Sequence, residues 1–386
     1  MADKVDALSS RKIFYFALFS VSSMTVLGGT VISPSLPNLE NHFSYINNIH
    51  TLSKLVLTIS SLFIMIFSPL SGFIYDRCNR LKIMLPSIII WSLSGASGFF
   101  FDSIYLILIS RIIFGIATAF VMTGVSSLIG DYYHGEKRDK ALSLQGFYTA
   151  FGGAIFLILG GILSHIDWRY PFLVYLLGFV IFIFASIILF EPKKTHHLNL
   201  HKTKFNFFHF FHIYLMAFIA MAMFYIIPTQ VPFFITDFLH ANNALVGVFL
   251  AISSVFFAFS SLFYMKFRSY MGFRGLYFLC FGVMGAAFIC IGIFHNYFIL
   301  CISLALIGSS LGLLLVTNSS WLFSIASSDT KAKAYGFLVS FVFMGQFLSP
   351  LISQPLVNNF GLVNMFIYIG GFLLLFSFLV FLFLKN

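Results

Sequence analysis

Long apolar runs separated by short polar breaks dominate the 386-residue chain. They predict helices over 13–33, 51–73, 83–101, 104–130, 141–163 and 171–190, then over 210–235, 244–265, 275–294, 297–324, 334–356 and 362–384. Each run is close to the ~20 residues a helix needs to cross hydrocarbon, and none shows the two-residue alternation of a lipid-facing strand. The longest polar stretch, EPKKTHHLNLHKTKFNFFH, separates six spans from six. The expected organisation is an N-terminal six-helix bundle over 1–190, a cytoplasmic linker over 191–209 and a C-terminal bundle over 210–386. The polar start MADKVDALSSRK enters a run longer than the apolar part of a signal peptide, so the first helix is expected to stay.

Composition agrees with this all-α membrane fold. The chain is 60% hydrophobic and 9% charged, with a mean hydropathy of +0.98, against about 25% charged residues in soluble domains. So few charges cannot clothe a water-soluble surface, and the bilayer is the expected partner. The net charge of +10 needs no nucleic acid to explain it. All Lys and Arg except Lys54, Arg111 and Arg169 fall on one set of alternate loops or on the termini, which puts that side and both termini in the cytoplasm. Cys78 lies in a basic loop, while Cys280, Cys290 and Cys301 sit in apolar runs with no metal-ligand spacing, so they read as packing residues. His196, His197, His201, His209 and His212 have no acidic or thiol partner among them and read as a solvated linker. No cofactor or metal is expected.

The halves repeat each other at an offset of half the chain length. Phe101 to Gly115 (FDSIYLILISRIIFG) falls on Phe294 to Gly308 (FHNYFILCISLALIG), and Glu136 to Ala141 falls on Asp329 to Ala334. Pro34 and Pro37 recur, slightly shifted, as Pro228 and Pro232. Several matches in one register point to a duplication of the kind common in transporters.

After the second span the chain reads GFIYDRCNRLKIM, which resembles the loop signature of the major facilitator superfamily, roughly G-x-L-A-D-R-x-G-R-K. Gly72, Asp76, Arg77 and Arg80 match; Asn79 and Leu81 depart from it. The resemblance implies a gating role for these four, with the Asp pairing a loop arginine and the facing half as a latch. Ser269 replaces the acid in the second half. SRIIFGIATAF similarly resembles the family's R-x-x-Q-G motif through Arg111 and Gly115, with Phe114 for Gln. The antiporter motif G-x-x-x-G-P-x-x-G-G survives only as Gly152, Gly160 and Gly161, with Phe156 and Leu157 in place of Gly-Pro. The resemblance implies two pseudo-symmetric bundles that rock about a central path. It is closest to bacterial drug:proton antiporters and metabolite exporters, which implies a monomer in the inner membrane handling a small molecule and protons.

An arginine inside hydrocarbon is costly unless it faces protein and finds acceptors. Arg111, Gly115, Thr118, Met122 and Ser126 form one helical stripe, and Lys54, Thr58, Ser61, Ser68 and Gly72 another. At about 1.5 Å per residue, Lys54 lies roughly 33 Å from Asp76 and Arg111 roughly 30 Å from Asp131. The two cations are thus expected at similar depth, where they could share one cavity. Arg111 reads equally as a substrate or proton-path residue and as an internal anchor to helix ends. Lys54 reads as a substrate contact or as a lysine that snorkels to the interface.

Every Asp and Glu lies near a helix end or in a loop, so neither cation has a mid-membrane carboxylate partner. An unpaired positive path favours an anionic substrate. Asp76, Glu40 and Asp237 are the candidate proton carriers. In helix seven, Pro228 and Pro232 interrupt the ladder beside Tyr225, Thr229 and Gln230. Thr317, Asn318, Ser319 and Gln346 add uncharged hydrogen-bonding groups. Tyr225, Gln230, Asn318 and Gln346 therefore join Lys54 and Arg111 as candidates for the substrate or proton path. Trp168 and Tyr170 are expected to anchor at the membrane interface. Proton-coupled efflux of small amphipathic compounds is the first expectation, and transport of an anionic metabolite such as a polycarboxylate or siderophore the alternative. A polytopic enzyme or sensor lacks support, since no span carries a nucleophile with a base.

Overall fold

A computed structural model describes residues 12–133, 136–191, 205–327 and 330–384. Among them all regular structure is helical, and eleven helices are long and apolar enough to cross a membrane, with a shorter apolar helix over Ile13–Thr25. That shorter helix belongs to α1 (Lys12–Thr30), the first of twelve spans.

The first half comprises α1, then α2 (Leu36–His42), α3 (Ile49–Arg77), α4 (Arg80–Ala96), α5 (Ile104–Tyr132), α6 (Glu136–Ile166) and α7 (Leu177–Ile188). A 3-10 segment over Tyr170–Leu176 leads into α7. The second half comprises α8 (Phe207–Phe224), α9 (Ile226–Phe233), α10 (Asn243–Leu262), the short α11 (Tyr264–Tyr270), α12 (Phe273–Ile293), α13 (Tyr297–Ile325), α14 (Lys331–Phe360) and α15 (Leu362–Phe383). Helices therefore end at the polar breaks. The loops bearing Cys78, Asn79 and Met271 lie at one end, the basic face; those bearing Asn48, Asp102, Arg169 and His240 lie at the other, the far face.

Proline chemistry corrects the expected first helix and interrupts the seventh span, Phe207–Phe238, as its prolines predict. The chain leaves α1 at Thr30, passes a 3-10 turn at Ser33–Ser35 and re-enters a helix to His42, because Pro34 and Pro37 each lack the N–H that continues a ladder. Pro228 likewise deprives the Phe224 carbonyl of its donor, and the helix breaks at Tyr225 between α8 and α9. Pro232 does the same to the Pro228 carbonyl. That carbonyl accepts the Ser33 hydroxyl at 2.5 Å, so the break in one half is tied to the break in the other.

Two apolar cores result, one from α1 to α7 and one from α8 to α15, the second including Leu36, Leu57, Ala154 and Leu157 from the first half. Those four mark the seam, where α6 packs along α10 and α3 along α14. Trp168 does not sit at an exposed interface: it is 6% exposed and packed by His42, Phe43 and Phe172.

Candidate functional site

The seam is closed toward the far face. Gly161 of α6 and Gly247 of α10 meet backbone to backbone; a Cβ on Gly161 would stand 2.8 Å from both the Asn243 carbonyl and the Gly247 Cα. Beside them Asn243 Nδ2 donates to the Ser164 carbonyl at 3.3 Å. On the second contact, Lys54 Nζ donates to Gln354 Oε1 at 2.5 Å and Ser61 Oγ donates to Gln346 Oε1 at 2.8 Å. Lys54 and Ser61 lie seven residues apart on α3, Gln346 and Gln354 eight apart on α14, so the helices run antiparallel with polar faces matched. The bonds named here and that of Ser33 cross between the halves in the far half or at mid-depth.

Toward the basic face, glycines of the same helices α3, α6 and α14 stand beside open space. Gly72, Gly146 and Gly336 have nothing within 4 Å of where a Cβ would stand. The seam is closed at the far end, and space remains beside these glycines at the other.

Lys54 is 3% exposed, which excludes snorkelling. Its ammonium lies 4.4 Å from the centre of the Phe233 ring, a cation–π contact from α9. Gln354 Oε1 accepts from Gln230 Nε2 as well, at 3.2 Å, and Gln354 Nε2 donates to Asn358 Oδ1 at 2.8 Å. Gln230 Nε2 also donates to Ser353 Oγ at 2.9 Å, while its buried Oε1 has no hydrogen-bond partner among the described residues. No carboxylate there lies within ion-pair distance of Lys54; Glu40 and Asp237 attract it from farther away. Glu40 instead accepts the Ser53 hydroxyl at 2.8 Å and pairs with His50, fastening α2 to the first turn of α3. Asp237 is exposed and accepts from Thr236.

Arg111 occupies a different place. It is fully buried inside the first bundle, where Nη2 donates to the Ser94 carbonyl at 3.3 Å and to that of Gly95 at 2.5 Å. These are last-turn carbonyls of α4, which the helix itself leaves without donors. Phe114, Phe172 and Tyr175 surround the guanidinium, and the Tyr175 hydroxyl is a further polar partner. The shared cavity expected for the two cations is therefore not formed: Arg111 and Lys54 have no partner in common, and of the two only Lys54 lies on the seam. Asn318 likewise stays within its bundle, accepting the Tyr277 hydroxyl at 2.5 Å. Tyr225 is buried at the break between α8 and α9. Gln230 and Gln346 stand on the seam with Lys54.

At the basic face, Arg80 Nε donates to Asp131 Oδ2 at 3.0 Å and its guanidinium also meets the Tyr75 carbonyl. The Glu191 carboxylate caps α4, accepting the backbone N–H of Arg80 at 2.6 Å and of Leu81 at 2.8 Å. Arg77 folds over Phe73, 4.0 Å from its ring. The Asp76 side chain lies outside the described residues, as do His196, His197 and His201. His209 and His212 stand apart, against Phe210 and Trp321.

Comparison with known proteins fits this architecture. The family model described as Major Facilitator Superfamily matches over residues 18–212 and again over 213–386. The chain belongs to the Major Facilitator Superfamily. It is therefore a transporter fold with a substrate path between two six-helix bundles. It is 25% identical to Quinolone resistance protein NorA of Staphylococcus aureus over 364 residues, 90% of this chain and 89% of that one. Against the Bacillibactin exporter of Bacillus subtilis it is 31% identical over 163 residues, so that likeness spans 40% of each chain. A solved bacterial homolog of the human lysosomal transporter Spinster, in an inward-facing and occupied conformation, superposes with a TM-score of 0.78 at 16% identity and covers 97% of both chains; that likeness concerns the fold.

Sequence reasoning missed Gln354, Ser353, Asn358 and Phe233. A signal was present for two of them: Gln354 and Asn358 follow the candidate Gln346 at multiples of four residues along α14, opposite Lys54 and Ser61 of α3.

Proposed function

We propose that this transporter exports small amphipathic compounds across the bacterial inner membrane in exchange for protons, by alternating access. The observation that carries the reading is the seam, closed at the far end by bonds between the two bundles and with open space beside Gly72, Gly146 and Gly336 toward the other. The resemblance to NorA along nine-tenths of the chain supports export and the substrate class. With the basic face cytoplasmic, as the distribution of Lys and Arg indicates, the described state is open to the cytoplasm and ready to load. The two units are 1–190 and 210–386, joined by a cytoplasmic linker over 191–209. Tyr225, Gln230 and Gln346 line the path, while Gly72, Asp76, Arg77 and Arg80 gate the basic face. Asp76, Glu40 and Asp237 are the proton carriers, and the working unit is a monomer.

A second reading, export of an anionic metabolite, is favoured by Lys54, a buried cation with no carboxylate within ion-pair distance among the described residues. Everted vesicles holding the overexpressed protein and an imposed pH gradient separate the two. Lipophilic cations are expected to collapse the gradient. A response confined to carboxylates would establish the second reading, and no response to either panel would overturn proton coupling.

A further inference from the structure

We infer that Lys54 is the bolt of the far gate: it holds the two bundles together while the basic face is open, and it acts by positioning the helices, without gripping substrate. The inference concerns the movement of the bundles and stands against the second reading, in which Lys54 would meet an anionic substrate.

Three observations converge on it. First, all the short-range partners of the ammonium belong to the opposite half. Gln354 is on α14 and Phe233 on α9, whereas Lys54 is rooted in the second turn of α3. Separation of the bundles must therefore break both contacts at once. Second, the partner is neutral. A charge-assisted bond to an amide is stronger than a bond between neutral groups, and it lacks the mutual attraction of two opposite charges. A bolt must be strong enough to close and weak enough to release, and a carboxylate at position 354 would meet only the first demand.

Third, the receiving side is built. Gln354 is fixed from two directions by Gln230 and Asn358, and Ser353 holds Gln230 in turn, so the carbonyl that meets Lys54 is preset. The Lys54 side is equally fixed, because Ser53, its chain neighbour, is tied through Glu40 to α2 and to His50. The charged groups that bear on the ammonium are Glu40 and Asp237. Neither lies within ion-pair distance of it, so Gln354 is its hydrogen-bond partner while the gate is closed. The Ser61–Gln346 bond at mid-depth marks the inner limit of the same latch.

The test measures the gate itself. Spin labels are placed at Asn47→Cys and Asn359→Cys, both exposed on the far face of opposite halves, in a full chain whose four native cysteines are replaced. Distances between the labels are recorded in lipid nanodiscs without substrate. Lys54→Gln is expected to raise the ratio of far-open to far-closed molecules about tenfold, the change that follows from losing one charge-assisted bond. Gln354→Glu, which puts a carboxylate in the same place, is expected to lower that ratio by at least as much and to slow turnover. Should Lys54→Gln fail to fold, Gln354→Glu decides alone. Unchanged distances in the variants would overturn the bolt, and weaker anion binding by Lys54→Gln with no change in distances would make Lys54 a substrate clamp instead.

Discussion

Lys54 and Arg111 are both cations buried in a membrane span, yet one joins two bodies and the other holds one body together. The hydrogen-bond acceptors of Arg111 are the last-turn carbonyls of α4, and its aromatic shell comes from α5 and the chain leading into α7, all within the first bundle. The ammonium of Lys54 meets only the second bundle at short range. In a transporter whose halves move as units, contacts of the first kind persist through the cycle, whereas contacts of the second kind must form and break. Burial and charge are the same in both cases. The location of the partners decides the role.

The largest effect should come from the anchor. Arg111→Leu strips the Ser94 and Gly95 carbonyls of their buried donor and leaves a partly filled hole among Phe114, Phe172 and Tyr175. A loss of about 3 kcal/mol of stability is expected, from the unsatisfied Gly95 carbonyl and the packing defect, since the Ser94 carbonyl keeps the Ser97 hydroxyl at 2.9 Å. A large drop in the thermal midpoint of the purified protein would register it. The far-gate distance distribution of the molecules that remain folded should match that of the parent. If Arg111→Leu instead shifted the gate and left the midpoint in place, the contrast between the two cations would collapse.

A smaller effect, on the gate alone, is expected at the glycine contact. Gly161→Val drives a side chain against the Asn243 carbonyl and the Gly247 backbone across the seam. Overpacking of this kind costs about 1–3 kcal/mol, and here it is relieved by parting the bundles. The far-open ratio should rise about tenfold or more. Gly371→Ala, at a position on α15 with nothing within 4 Å, is the control and should leave the ratio unmoved. Equal responses would mean that the seam at Gly161 is not what holds the far face shut.

The sequence made the spans plain because hydrocarbon imposes a length and a polarity on every one of them, and because Lys and Arg mark one set of loops. It was less informative wherever a proline sat within a span. The run over 13–33 gave no sign that Pro34 and Pro37 would carry helical structure on to His42, since a proline ends a ladder but also starts a new helix well. Lys54, Gln230 and Gln346 stood out as polar groups in apolar runs. Gln354 and Asn358 did not: the expected span ended at 356, whereas α14 runs on to Phe360 and carries both. What no single run could reveal was pairing. Arg111 and Lys54 gave the same local signal, and only the packing of α4 on α5 and of α14 on α3 separates them.

Hydroxyl groups carry the same contrast at lower energy. Ser33 donates across the seam to the Pro228 carbonyl, a group that Pro232 leaves without a helical donor, whereas Thr118 donates to the Phe114 carbonyl one turn back in its own helix. Ser33→Ala removes a neutral hydrogen bond of about 1 kcal/mol that exists only while the far face is closed. The far-open ratio should therefore rise about fivefold, since 1.4 kcal/mol corresponds to tenfold. Thr118→Val removes a bond of similar strength that every state of the first bundle retains, so the ratio should not change. Both variants are read by the same pair of spin labels. If they moved the distances alike, crossing the seam would not be what gives a polar group its influence on the gate.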